Sequence, residues 1–198
     1  MWQQRSDFVL ASSSPRRIDL LTQQRLTFTS ATPDIDESVL PDEVASDYVN
    51  RLAIAKAEVI AHTYPNTWVM GSDTSIGFEN QILGKPCDEA DCVTMLTALS
   101  GETHQVYTAT ALVRYNPEHI ERHAILNIAN VTLTEISEAQ ARAYWRTGEP
   151  ADKAGSYAIQ GIGGAFVASC EGSYSAIVGL PLVESIALLR KVGVIDEC

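Results

Sequence analysis

The 198-residue chain has no uninterrupted run of about 18 apolar residues, so nothing in it reads as a membrane-spanning helix. Its first residues, Met1-Trp2-Gln3-Gln4-Arg5-Ser6-Asp7, lack the basic segment and apolar stretch of a secretory signal, which gives the expectation of a cytoplasmic protein. Cysteine is scarce. Cys87, Cys92, Cys170 and Cys198 form no Cys-x-x-Cys pair and fit no zinc spacing, so free thiols are expected. Positive charge is scarce too: 14 Lys and Arg stand against 25 Asp and Glu, a formal charge of −11. That balance disfavours a nucleic-acid-binding module, which needs a basic face. It does not exclude a phosphate ligand, because a few local cations and a metal ion can hold one inside an acidic protein.

Several catalytic signatures are also missing. No Gly-x-Ser-x-Gly elbow is present, which sets aside that type of serine hydrolase. Gly161-Ile162-Gly163-Gly164 does not fit a dinucleotide fingerprint. Gly84-Lys85-Pro86 is not a phosphate-binding P-loop, since Pro86 stands where Ser or Thr is needed and Gly77 is misplaced upstream. His119 and His123 are four apart, but Pro117 precedes them in an expected turn, and they read as exposed polar histidines. No repeat, low-complexity tract or long linker interrupts the chain, so residues 1–198 are expected to form one domain.

What is present alternates between strand and helix patterns. Phe8-Val9-Leu10-Ala11 reads as a buried strand, and Ser12-Ser13-Ser14-Pro15 after it as a helix start. Leu26–Thr29 reads as a second strand. Val44, Tyr48, Leu52, Ala55 and Val59 recur at helical spacing within residues 42–62. Trp68–Gly71 reads as a strand that stops at Ser72-Asp73-Thr74. Helices are expected over Asp88–Leu99, Ser137–Trp145 and Pro181–Val192. Strands are expected over Val106–Tyr115, Ile125–Leu133, Ala165–Ser169 and Ser175–Val178. The sum is an α/β class with a mixed twisted sheet and flanking helices.

Four features could carry chemistry. The helix start at Ser12–Arg17 offers unpaired N–H groups, hydroxyls and two arginines to an anion, or it is an ordinary capped helix. Asp73, next to an apolar strand, could bind a metal or act as a base, or it could serve its own turn. Lys56, Lys85 and Lys153 could meet phosphate or simply be solvated. Asp34, Asp36 and Glu37 form an oxygen-rich loop suited to Mg²⁺ or Mn²⁺, or a solvated acidic loop.

Taken together, the chain resembles the Maf family of nucleoside triphosphate pyrophosphatases nearly end to end. The resemblance is carried by Leu10-Ala11-Ser12-Ser13-Ser14-Pro15-Arg16-Arg17, Asp36-Glu37, Arg51-Leu52-Ala53 with Lys56-Ala57, and Gly71-Ser72-Asp73-Thr74. It continues through Gly84-Lys85-Pro86, Leu99-Ser100-Gly101, Asp152-Lys153-Ala154-Gly155, Tyr157, Ile159-Gln160-Gly161 and Val178-Gly179-Leu180-Pro181. Arg16, Thr74 and Gln160 resemble the branch acting on dTTP and UTP. Ser72 stands where alanine is frequent, and Ala158 where glycine is; alanine would be strained there if the backbone required positive φ.

The resemblance implies an inosine triphosphatase-like fold of two lobes around a central cleft, often a homodimer. It also implies pyrophosphate release, with roles in clearing unwanted nucleotides and restraining cell division. On this reading Asp73 activates the attacking water, and Glu37 and Asp73 hold a divalent cation, Mg²⁺ or Mn²⁺. Ser12, Arg17, Lys56 and Lys85 bind phosphate, Lys153 being a further candidate, while Arg16, Thr74 and Gln160 set specificity. A nucleotide-binding regulator without turnover is the competing reading. Pyrophosphate release separates the two.

Overall fold

Phe8, Val9, Leu10 and Ala11 are all buried, and they form a strand held between two parallel neighbours. The computed structural model describes residues 2–116 and 118–197; Met1, the turn expected at Pro117 and the thiol of Cys198 lie outside them. In chain order the strands are β1 (Trp2–Gln4), β2 (Phe8–Ala11), β3 (Thr29–Ser30), β4 (Trp68–Phe78), β5 (Gln81–Leu83), β6 (Thr103–Tyr115), β7 (Ile120–Leu133), β8 (Val167–Glu171) and β9 (Ile195–Glu197). The helices are α1 (Pro15–Gln23), α2 (Ala45–Ala61), α3 (Glu89–Leu99), α4 (Glu138–Trp145), α5 (Tyr174–Val178) and α6 (Leu182–Lys191). Short 3-10 turns occupy Glu149–Asp152, Ala154–Ser156 and Ile162–Phe166.

The main sheet runs β3-β2-β4-β6-β7-β8, with β5 folded back on β4, and it is mixed. β2 pairs parallel with β3 and β4, while β4, β6, β7 and β8 pair antiparallel. Glu79 and Asn80 both adopt positive φ, as a two-residue hairpin turn between β4 and β5 requires. β1 and β9 form a separate antiparallel pair. No helix among the described residues is long and apolar enough to cross a membrane.

Three expectations need correcting. β4 does not stop at Ser72. It continues to Phe78, paired with β6 from Trp68↔Arg114 to Gly77↔Gln105, so Asp73 sits mid-strand and not in a turn. Asp73, Thr74 and Ser75 line a cavity there and Ser72 is buried against backbone carbonyls, so a polar run stands where a core strand would be apolar. Ser175–Val178 is helical, started by the Ser173 hydroxyl accepting from the Ala176 N–H at 3.3 Å and ended at Gly179, φ 135°. The pairing of the second strand is at Thr29–Ser30 alone, later and shorter than expected.

The buried stripe of α2 is also displaced from the apolar residues that suggested it. Val49, Leu52, Ala53, Lys56 and Ala57 are buried, whereas Val44 is 57% and Val59 39% exposed. The reason is a close seam. A Cβ at Gly71 would lie 2.2 Å from the Ala53 carbonyl oxygen and 2.8 Å from the Ala57 amide nitrogen. Only small residues permit that approach, and it brings the next helical position, Lys56, onto the sheet.

Two large core clusters follow. One joins Phe8, Leu10, Leu21, Met70, Leu112, Leu180 and Leu189, and the other Leu96, Leu99, Val131, Leu133, Tyr144 and Tyr157. Ile159 packs against both.

Candidate active site

A cavity of about 510 Å³ opens beside Ile159. Its wall includes the ten residues to which the family resemblance gives a role: Ser12, Arg16, Arg17, Glu37, Lys56, Asp73, Thr74, Lys85, Lys153 and Gln160. Positions up to 148 residues apart in sequence thus meet at one surface, which a set of independent surface charges would not do.

The floor is β4. Asp73 is 6% exposed, and the close α2 seam places Lys56, 7% exposed, directly against it. The Lys56 Nζ donates to Asp73 Oδ1 at 2.7 Å and lies 2.9 Å from Glu37 Oε1. Burial pushes the Asp73 carboxyl above its ordinary pKa, opposed by the charges of Lys56 and Arg17 and by the Lys56 hydrogen bond. Such opposed influences are the usual means of tuning a carboxylate toward proton transfer.

Glu37 arrives on a loop braced by α2. The Tyr48 hydroxyl donates to the Glu37 carbonyl at 2.9 Å, and Arg51 donates to the Ser38 carbonyl at 3.0 Å while pairing with Glu43 at 2.6 Å. Asp34 and Asp36 do not join it at the cavity. Asp36 instead accepts from the Ser38 hydroxyl at 2.6 Å and the Ser38 amide at 2.9 Å, which lowers its pKa. The three-carboxylate cluster expected from sequence is therefore not formed, and no group of three or more His, Cys, Asp or Glu among the described residues could hold a metal alone.

The second wall is the start of α1. Ser14 caps it without a side-chain bond, Pro15 occupies the first turn, and the Ser12 hydroxyl accepts from the Ser14 amide at 3.2 Å. Arg17 crosses from this helix to the sheet. It donates to the Gly179 carbonyl at 2.8 Å, Ser12 Oγ at 3.3 Å and Thr74 Oγ1 at 3.4 Å. Burial lowers the Arg17 pKa, and the Asp73 charge pulls it back up. Arg16 lies 3.7 Å from Asp152, to which Lys153 also pairs.

Beneath Thr74 runs a buried polar ladder that the sequence did not announce. Thr108 Oγ1 donates to the Ala176 carbonyl at 2.8 Å and lies 3.1 Å from Thr74 Oγ1. The Ser72 hydroxyl lies 2.8 Å from the Ala109 carbonyl and 3.2 Å from that of Gly179. The signal available was a pair of threonines, Thr108 and Thr110, inside a strand otherwise fit for a core.

Gln160 lines the cavity but is bonded to neither Arg16 nor Thr74, the other two residues of the specificity set. Arg16 is engaged by Asp152, and Thr74 by Arg17 and Thr108. Nor is Ala158 strained: positive φ falls at Gly155 (63°) and Ser156 (65°). Cys87, Cys92 and Cys170 are free thiols, and none lines the cavity. His119 and His123 stand apart from it, His119 3.5 Å from Glu121 and His123 beside the Trp68 ring.

A family model described as "Maf-like protein" matches residues 7–192. Among curated proteins, one from Colwellia psychrerythraea named dTTP/UTP pyrophosphatase is 47% identical over 194 residues, 96% of this chain and 90% of that protein. Proteins of the same name from Pseudoalteromonas translucida and Myxococcus xanthus are 49% identical over 182 residues (91% and 94% of the two chains) and 46% over 185 (93% and 92%). Among solved structures, the Staphylococcus aureus Ham1 protein matches with a TM-score of 0.42 at 15% identity, over 65% of this chain and 72% of that one.

Proposed function

The chain belongs to the Maf family, and from that premise we propose that it hydrolyses nucleoside triphosphates, dTTP and UTP foremost, to the monophosphate and pyrophosphate. The observation that carries the reading is the buried Asp73–Lys56 pair, with the more exposed Glu37 converging on the same ammonium, beside a wall of cations. Relatives at 45–49% identity bear the name of that activity.

In the reaction, a water oxygen bonds to the α-phosphorus and the bridging bond to the β-phosphate breaks. Asp73 takes the proton that the water gives up; its raised pKa suits that task. Arg17, Lys85 and the free N–H groups at the start of α1 meet the negative charge that builds on the departing pyrophosphate. Lys56 balances Asp73 and Glu37 before substrate arrives, and Lys153 and Arg16 extend the cationic wall at the mouth.

The donor set fits a hard divalent cation. Two carboxylates already converge on a cation, the Lys56 ammonium, and Mg²⁺ commonly takes one or two carboxylates with substrate phosphate oxygens completing its shell. Asp73 and Glu37 would hold it, and the ion would neutralise phosphate charge and polarise the reacting P–O bonds. Either Mg²⁺ or Mn²⁺ suits such ligands.

Gln160 is the base-reading group in this account. Its amide can accept from the N3–H and donate to the O4 of uracil or thymine, whereas cytosine presents the reversed pair. Clearing of unwanted pyrimidine nucleotides, with a bearing on cell division, is the biological role that such an activity would serve.

The test is incubation with each common triphosphate and Mg²⁺ or Mn²⁺, reading pyrophosphate, orthophosphate and monophosphate. Pyrophosphate with monophosphate, fastest from dTTP and UTP, is the expected result. Orthophosphate as first product would refute the site of cleavage. Tight nucleotide binding without any product would make the protein a binding regulator instead.

A further inference from the structure

The turn Gly161-Ile162-Gly163-Gly164 fits no nucleotide fingerprint, yet in the structure it is wrapped around an anion. The anion is internal. Glu149 accepts from the Ile162 amide at Oε2, 2.9 Å, and from the Gly163 amide at Oε1, 2.9 Å. The Tyr144 hydroxyl donates to the same Oε1 at 2.6 Å and accepts from the Ala158 amide at 3.1 Å. Successive N–H groups in such a turn form a concave anion site. Burial disfavours the charged Glu149, but the hydrogen bonds from Gly163, Tyr144 and Ile162 outweigh it and hold the carboxyl below its ordinary range.

The glycines are what let the chain close on these two side chains. A Cβ at Gly161 would lie 2.2 Å from Glu149 Oε2, and one at Gly163 would lie 2.4 Å from the Tyr144 hydroxyl and 2.9 Å from the Ala158 amide nitrogen. Tyr144 is itself fixed: it is 3% exposed and stands edge-on to Phe166 with ring centres 5.3 Å apart. Neither Glu149 nor Tyr144 lines the cavity.

The tethered amides bracket one short piece of chain. Ala158 is tied on one side and Ile162 and Gly163 on the other, and between them Ile159 and Gln160 line the cavity. We propose that Glu149 and Tyr144 are positioning residues that set base selectivity by fixing where the Ile159–Gln160 segment stands at the cavity wall. This rests on the reading of Gln160 as the base-contacting group. A loop hydrogen-bonding one base edge discriminates only as well as its backbone is held, since a mobile amide can turn to meet the reversed edge. The two residues thus supply for the backbone the constraint that Arg16 and Thr74 do not supply for the side chain.

The experiment compares dTTP with dCTP, which differ in the edge read, and repeats the comparison with UTP and CTP, a pair without thymine's extra methyl group. The kcat/KM ratio is measured for wild type, Glu149→Gln, Tyr144→Phe, Gln160→Ala and the Tyr144→Phe/Gln160→Ala pair. The Kd ratio of the non-hydrolysable α,β-imido analogues gives the same selectivity without turnover. Glu149→Gln conserves shape but leaves one amide unpaired, and is expected to lower the ratio by at least ~5-fold, mainly through a higher KM for dTTP. Tyr144→Phe keeps the core packing and should lower it by ~2–3-fold, and the double variant should fall no further than Gln160→Ala alone, because both act through one segment.

Equal losses for dTTP and dCTP, or an unchanged ratio in Tyr144→Phe and any folded Glu149→Gln, would overturn the proposal. If Gln160→Ala leaves the ratio intact while Tyr144→Phe lowers it, the Gln160 reading falls and the positioning role stands. If Gln160→Ala lowers the ratio and the other two do not, the reverse holds.

Discussion

His104 offers a stability test that does not depend on substrate. It lies in β6, 2% exposed, with Nε2 2.8 Å from the Tyr157 hydroxyl and Nδ1 without a partner among the described residues. Burial alone pushes its pKa down from 6.5 to about 4. The native protein therefore binds fewer protons at this site than the unfolded chain between those two values, so stability rises with pH across that window. The contribution is fully present above pH 6.5 and is lost as pH falls toward 4. With those two constants, acidification from pH 7 to pH 4.5 should remove about 2 kcal/mol through His104.

The assay is urea unfolding at both pH values for wild type and His104→Phe, followed by tryptophan fluorescence. The substitution leaves the Tyr157 hydroxyl without its partner, a loss of about 1–3 kcal/mol that is present at both pH values and cancels in the difference. Asp73, whose pKa is raised, pulls the other way on acidification, but it is common to both proteins and cancels as well. His104→Phe should lose about 2 kcal/mol less than wild type between pH 7 and 4.5. Parallel losses in the two proteins would refute the account of a neutral, water-excluded imidazole.

Asp73→Asn removes the proposed proton acceptor while conserving shape, and should lower turnover by ~10²–10⁴-fold with the unfolding midpoint near wild type; activity within a few-fold of wild type would take Asp73 out of the mechanism. Glu37→Gln should raise the Mg²⁺ or Mn²⁺ concentration for half-maximal rate, and an unchanged metal titration would assign Glu37 to another task. Lys85→Ala should weaken binding of the triphosphate more than that of the monophosphate product, read by calorimetry. Arg17→Ala cannot make that separation, because Arg17 also holds the Gly179 carbonyl.

Local signals in the sequence located most elements. Ser14-Pro15 marks the start of α1, Asp88 caps α3 by accepting from the Asp91 amide, and Ser137 with Gln140 forms a capping box on α4. What failed was non-local. The pairing of β4 with β6 carries the strand past Ser72-Asp73-Thr74, and tertiary pairing outweighs polar composition there. Ser175–Val178 is too short for periodicity to tell strand from helix, and its Ser173 cap decided it. Nothing local in Trp2–Gln4 announces its partner Ile195–Glu197. At the site, Ser12, Arg16, Arg17, Glu37, Lys56, Asp73, Lys85 and Lys153 stood out by residue type and placement, while Thr74 and Gln160 entered only through the family resemblance. Glu149 and Tyr144 did neither, because a glutamate and a tyrosine carry no pattern of their own. The cue was indirect: closely spaced glycines whose amides need an anion.

The charge distribution around the cavity has a kinetic consequence. Five cationic side chains line it against three carboxylates, inside a chain of formal charge −11. Attraction for a polyanion is therefore confined to the last few ångströms, while the field farther out repels it. Electrostatic steering usually speeds capture and fades with salt; here the long-range field works against capture, and salt relieves it. Screening acts beyond the Debye length, ~10 Å at 0.1 M, and leaves close contacts in a desolvated cavity nearly intact. Association should quicken as ionic strength approaches ~0.1 M, and the outer field favours whichever nucleotide arrives with its charge already partly neutralised by a bound cation.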